Sequence, residues 1–238
     1  MSEFTGGPLT LAEMLKIVSL LENPPEAAMV RKALRFYEVP ERLHDAGFKW
    51  GQIEDIRKVM MHYLNPQNPD ELDWMLDYVK GATSLLEVGS SFGGTLAKMA
   101  SVMKKGAKIV SVDAAMDETP LFLNPAASLK ETCRQIAALG ASVELLIGDS
   151  HSSQVVDRVS HYAPFDFVFI DGDHTYDGVK ADWENYGPMG TIVGFHDIGC
   201  VPEVNRFWEE LKAKGNYRIE EQMAKEKGFG IGVVFRED

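Results

Sequence analysis

The chain has 238 residues, 45% of them hydrophobic and 25% charged, the usual make-up of a globular protein with a buried core. Acids outnumber bases 36 to 24, a net charge of −12, so nucleic acid and acidic membrane surfaces are not expected partners. Cys133 and Cys200 fit neither a metal spacing nor a disulfide framework, the first residues lack a basic and apolar leader, and no apolar run approaches the roughly 20 residues that cross a bilayer; a cytoplasmic location is expected.

Residues 1–80 read as helical, a cap or oligomerisation arm. Thr10 and Glu13 form a capping box, and Leu11, Met14, Leu15 and Val18 follow on one face until Pro24-Pro25. Ile53, Ile56 and Met60 suggest a second helix. A third begins at Pro69, carries Leu72, Met75, Leu76 and Val79 on one face, and stops at Gly81. From residue 81 to 238 strands and helices alternate. Strands are expected at Ser84–Val88, Lys108–Val112, Val143–Ile147, Phe165–Ile170, Thr191–Phe195, Tyr217–Gln222 and Ile231–Phe235. Such alternation predicts an α/β fold, a doubly wound Rossmann-like sheet of seven strands, mostly parallel, with helices on both faces. The last two strands are joined by Met223–Gly230, too short for a parallel crossover, so an antiparallel hairpin is expected at the C-terminus.

Ligands of open α/β sheets bind outside the carboxyl ends of the strands. The residues to read there are Glu87 and Gly89, Asp113, Asp149, Asp171, and His196-Asp197. The first turn, Gly89-Ser90-Ser91-Phe92-Gly93-Gly94, suits a ligand held against backbone N–H groups. A dinucleotide fingerprint is incomplete, because Ser91 stands where the middle glycine belongs. The same turn matches the G-x-S-x-G elbow of an α/β hydrolase, with Ser91, Asp171 and His196 in triad order. No earlier strands and no oxyanion loop accompany it, and Glu87 and Asp113 would have no role. Acids at strand ends also serve as plain helix caps, Asp149 above all.

The stretch Glu87-Val88-Gly89-Ser90-Ser91-Phe92-Gly93-Gly94 resembles motif I of class I methyltransferases that use S-adenosylmethionine (SAM), and Phe165–Tyr176 resembles the FDxVFIDGDHxY signature of a branch that includes small-molecule and sugar O-methyltransferases. The resemblance extends over roughly 80–238, with a Gly-x-x-x-x-His-Asp element ending at His196-Asp197. It implies that Gly89, Ser90, Ser91 and Gly93 approach the amino-acid end of SAM, with Glu87 beneath them. Asp113 would take the ribose, Asp149 and Ser150 would flank the adenine, and Asp171 would touch the donor. A cationic sulfonium tolerates such acids, whereas a pyrophosphate is repelled.

Methyl transfer to a hydroxyl needs a base or a metal that lowers the hydroxyl pKa. Asp171 and Asp197, 26 residues apart at neighbouring strand ends, can converge on a divalent ion. Catechol-type enzymes hold magnesium with a similar acid and an Asp-Asn pair; here the pair is His196-Asp197. Magnesium prefers oxygen ligands, so either a transition metal binds with His196 as a ligand, or His196 is not a ligand, or no metal binds. His174, where the catechol-type enzymes carry a lysine, is the expected base and His196 the second candidate. A small-molecule hydroxyl is the expected acceptor. The remaining alternative class is a nucleotide- or SAM-binding module without turnover.

Overall fold

In the computed structural model the described residues are 69–91, 93–114, 125–223 and 229–236. Among them, β1 (Ser84–Val88), β2 (Lys108–Asp113), β3 (Ser142–Ile147), β4 (Phe165–Ile170), β5 (Gly190–Phe195), β6 (Arg218–Gln222) and β7 (Ile231–Phe235) form one sheet in the order β3-β2-β1-β4-β5-β7-β6. The first five strands are parallel; β7 runs antiparallel to both β5 and β6. Six helices are described: α1 (Pro69–Val79), α2 (Gly94–Val102), α3 (Pro125–Ala138), α4 (Ser153–Ser160), α5 (Tyr176–Tyr186) and α6 (Pro202–Ala213).

Both faces of the central strands are covered, which is why β1 is buried throughout and its sequence is almost continuously apolar. Leu85, Ile109, Phe167 and Phe169 point to one core with Leu72, Met75 and Val79 of α1, Leu96 and Met99 of α2, and Leu129 of α3. Leu86, Val110, Val168 and Ile170 point to the other, with Val179 and Tyr186 of α5 and Phe207, Trp208 and Leu211 of α6. Phe207 and Trp208 are each 1% exposed. The sheet lies in a compact unit of residues 67–116 and 129–238, and α1 belongs to it. The earlier helices expected around Leu11–Val18 and Ile53–Met60 lie outside the described residues.

The hairpin forms as expected, but its second strand enters the sheet beside β5 and its first becomes the edge. Composition explains the choice. Ile231–Val234 are all buried, whereas β6, Arg-Ile-Glu-Glu-Gln, suits an edge, where charges discourage pairing with other chains. At the opposite end of the strands, one oxygen of Asp166 accepts from the Thr83 amide (2.6 Å), the Thr83 hydroxyl (2.7 Å) and the Ser84 amide (3.1 Å), which staples β4 to the start of β1. The carboxyl ends of β1, β2, β4 and β5 are thereby left at one rim, with the order reversing between β1 and β4.

Candidate active site

The turn after β1 is held by backbone. The Gly89 amide donates to Val112 O (2.8 Å), and the Asp171 amide donates to Val88 O (2.8 Å). Gly89 has φ +88°, and a Cβ there would lie 2.1 Å from Asp171 O. The turn therefore needs glycine twice over, for its left-handed backbone and for close approach to the end of β4. Gly89→Ala should cost about 3 kcal/mol or more from strain plus overpacking, read from urea unfolding; wild-type stability would mean the turn and β4 can part freely. Ser91 is also left-handed, φ +50°. Its amide donates to Asp113 Oδ2 at 2.5 Å. Asp113 is thus at the rim where expected, with one oxygen clamping the turn. The Ser90 hydroxyl is buried against that of Ser111, 2.7 Å away.

Glu87, 1% exposed, has no hydrogen-bond partner on either oxygen. Burial, reinforced by the charges of Asp171 and Asp113 against the pull of the nearby Ser90 hydroxyl, pushes its carboxyl up to about 8.

The loops after β4 and β5 bring two aspartates and two histidines together. His174 Nε2 lies 3.3 Å from Asp171 Oδ1 and 3.4 Å from Asp197 Oδ2. His196 Nδ1 lies 3.1 Å from Asp171 Oδ1 and 3.4 Å from Asp197 Oδ1. Asp171, His174 and Asp197 each offer a ligand atom, all within 4.8 Å of one another, as a metal site requires. His196 is the deeper ring: it is 5% exposed, and the side chain of His174 is 45% exposed. Burial disfavours ionisation of Asp171, but the His196 charge and the bonds from both imidazoles outweigh it and hold the carboxyl below its ordinary range. The same pairing raises His196 well above 6.5 despite its burial. His174 is raised too, chiefly by its bond to Asp171. Asp197 is kept low, its burial outweighed by the bond and charge of His196.

His196 Nε2 has no hydrogen-bond partner, Ser91 included, and Nδ1 faces the aspartates. A triad histidine must bridge acid and serine, so Ser91, Asp171 and His196 are not arranged as a hydrolase.

On the β3 side, α4 is capped by Ser152, whose side chain accepts from the Val155 amide, and not by Asp149. Exposed Asp149 instead accepts from the His151 amide two residues on (2.9 Å), an Asx turn. The Ser150 hydroxyl is turned to Asp182 (2.9 Å). Asp173 braces the start of α5 through the Thr175 amide (2.8 Å) and stands outside the three-residue donor group. Tyr176 opens α5, with its hydroxyl on Glu210 and the Arg206 guanidinium over its ring.

Three residues near the site, Cys200, Phe229 and Ser111, carried no signal as isolated letters. The Cys200 thiol donates to Asp197 Oδ1 (3.2 Å), and the Phe229 ring lies parallel to His196, 6.2 Å between centroids. Ser111 supports the turn. Asp182 had a readable signal, an acid on the apolar face defined by Val179 and Tyr186.

Residues 86–198 match the family model of a methyltransferase domain. The fold is similar to the O-methyltransferase of Bacillus cereus solved with S-adenosylhomocysteine (SAH): 18% identity over 84% of this chain and 97% of that one, TM-score 0.56. It is also similar to TomG of Streptomyces achromogenes, an O-methyltransferase of tomaymycin synthesis solved with SAM, at 15% identity over 95% and 99% of the chains, TM-score 0.56. A Clostridium thermocellum protein described as an rRNA methylase aligns at 12% identity over 71% and 98%, TM-score 0.50. No curated protein gives a significant match to the sequence. The match to a methyltransferase domain thus covers residues 86–198, and the sheet has the Rossmann-like fold of these neighbours.

Proposed function

We propose that this protein is a SAM-dependent O-methyltransferase acting on a hydroxyl of a small molecule, with a divalent metal at the Asp171 cluster. The observation that carries the reading is the contact of the Gly89 turn with the main chain of Asp171, which puts the glycine turn and the carboxylate–imidazole cluster on one rim. An acceptor reaching that rim meets both.

The residues present fit SAM. Glu87 is a buried carboxyl without a partner at the strand end that feeds the turn, suited to a ligand rich in donors. Glu87, Gly89, Ser90, Ser91, Gly93 and Asp113 would hold the amino-acid and ribose parts, with Asp149 and Ser150 on the adenine side. Bound SAM would supply an activated methyl group. The donor set also fits a divalent ion. Asp171 and Asp197 are ionised at neutral pH and would hold the ion through their oxygens, which suits magnesium or manganese and leaves His174 free as a base. Such an ion would supply Lewis acidity that lowers the pKa of a hydroxyl.

The chain's own groups divide the remaining work. His174, the more exposed imidazole, takes the acceptor proton in its neutral form. His196, buried and held as an imidazolium, orients the two aspartates and does not abstract a proton. Because its pairing with Asp171 raises the His174 pKa, methyl transfer should rise with pH through a value above 6.5.

A thermal-shift panel with SAM, SAH and NAD(P), with and without manganese, zinc and magnesium, tests the cofactor. Protection by SAM and SAH is expected; protection by NAD(P) alone would overturn the reading. SAH release over a panel of phenols, catechols and sugars tests the reaction. His174→Gln should leave SAM affinity unchanged and slow turnover by about 10²–10⁴-fold. A variant as fast as wild type would remove His174 as the base, and a silent binding module would tolerate its loss.

A further inference from the structure

Helix α5 turns an acid toward the interior. Val179, Asp182 and Tyr186 fall at helical spacing and all are buried. Asp182 is 0% exposed. Its Oδ1 accepts from the Ser150 hydroxyl at 2.9 Å and lies 3.1 Å from His151 Nε2. Its Oδ2 has no hydrogen-bond partner and faces Gly172, where a Cβ would stand 3.2 Å away. One turn on, the Tyr186 hydroxyl donates to Ser150 O at 2.5 Å. A carboxyl in such a place is costly, and burial holds its pKa above the usual range. A hydrophobic residue would pack there more cheaply, so the position calls for a reason.

The contacts supply one. Through Asp182 and Tyr186, α5 grips the loop after β3 by both side chain and main chain. The same carboxyl abuts Gly172, in the loop that carries Asp171 and His174. These are the adenine side and the reactive side of the proposed site, and Asp182 touches both.

We propose that Asp182 and Tyr186 are positioning residues for the cofactor, fastening the β3 loop to α5 so that the adenine side keeps a fixed distance from the Asp171–His174 loop. The inference rests on the SAM reading above. It also changes what Ser150 does. Its hydroxyl is taken by Asp182 and its carbonyl by Tyr186, so Ser150 supports the loop, and exposed Asp149 is left as the side chain of that loop directed to the ligand. His151 Nε2 lies beside the same carboxyl, 3.1 Å from Oδ1, without a hydrogen bond to it.

Calorimetric titration of the full-length chain with SAM, SAH and methylthioadenosine, which keeps the adenosine half alone, tests this. Asp182→Ala should weaken all three about tenfold or more, and Asp182→Asn, which still accepts from Ser150, should recover most of that loss. Tyr186→Phe removes one hydroxyl and should weaken all three about fivefold, so it carries the test if Asp182→Ala does not fold. Equal factors for SAM and methylthioadenosine are expected, because the adenosine half is the part being positioned. Wild-type affinities in folded Tyr186→Phe and Asp182→Ala would overturn the inference, as would a loss seen with SAM but not with methylthioadenosine. Wild-type protein that binds none of the three would overturn the cofactor reading itself, a separate and recognisable outcome.

Discussion

Asp171→Ala should destabilise the protein by about 3–5 kcal/mol near pH 6, the cost of leaving a buried charge without its partner. Asp171 meets His196 at 3.1 Å and His174 at 3.3 Å. Without it, the 5%-exposed His196 keeps, among the described residues, only Asp197, 3.4 Å away, as a counter-charge. The pH dependence has a definite sign. Asp171 is depressed, so its contribution is present above the ordinary 3.8 and lost as pH falls through its lower folded value. His196 is raised, so its contribution is complete below 6.5 and lost as pH climbs through its higher folded value. The penalty should therefore be greatest between about pH 4 and 6.5 and shrink above it. Urea unfolding across that range measures it. Adding His196→Phe to the alanine variant should restore part of the loss, since the orphaned imidazolium is gone and the site is already flanked by the rings of Phe169 and Phe229. A single variant costing under about 1 kcal/mol, or strictly additive effects, would show that the cluster is not a coupled ion pair.

Glu87→Gln should do the opposite and stabilise the ligand-free protein at alkaline pH. The folded carboxyl titrates near 8 and the unfolded one near 4.5. As pH rises through that interval the unfolded chain gains a charge that the folded core resists, so wild-type stability falls by about 1.4 kcal/mol per pH unit, several kcal/mol in all. Glutamine keeps the shape of the protonated acid and never ionises. The difference in melting temperature between variant and wild type should be small near pH 5 and grow to several degrees by pH 8–9, by differential scanning calorimetry. A difference that stays constant with pH would mean that Glu87 ionises as easily in the fold as outside it. An acid that weakens its own fold at alkaline pH is what a ligand-binding residue looks like, because its compensation comes from the ligand.

Much of this was readable in one dimension. Ser84–Val88, Phe165–Ile170 and Ile231–Phe235 are strands with the bounds their apolar runs predict, and the switch to alternating elements foretold the parallel sheet. The strand-end rule drew attention to Glu87, Asp113, Asp171 and Asp197 because each sits where a β-run stops, a property of order along the chain. Residue type alone left the helix cap on the β3 side open between a cap and a ligand-facing acid at Asp149, and the cap proved to be Ser152. Asp149 and Ser152 are both competent caps, and which one serves depends on where the backbone turns, not on residue type.

What the order of residues determined by itself is the set of elements, the central apolar strands, and the chemistry waiting at their ends. Those follow from local periodicity and from the need to bury apolar runs on both faces. The tertiary structure alone decided that β7 lies inside the sheet with β6 at its edge, that Asp182 reaches Ser150 and His151 from 32 and 31 positions away, and that the Phe229 ring stacks on His196. Such contacts depend on the distances between packed layers, and no spacing along the chain encodes those distances.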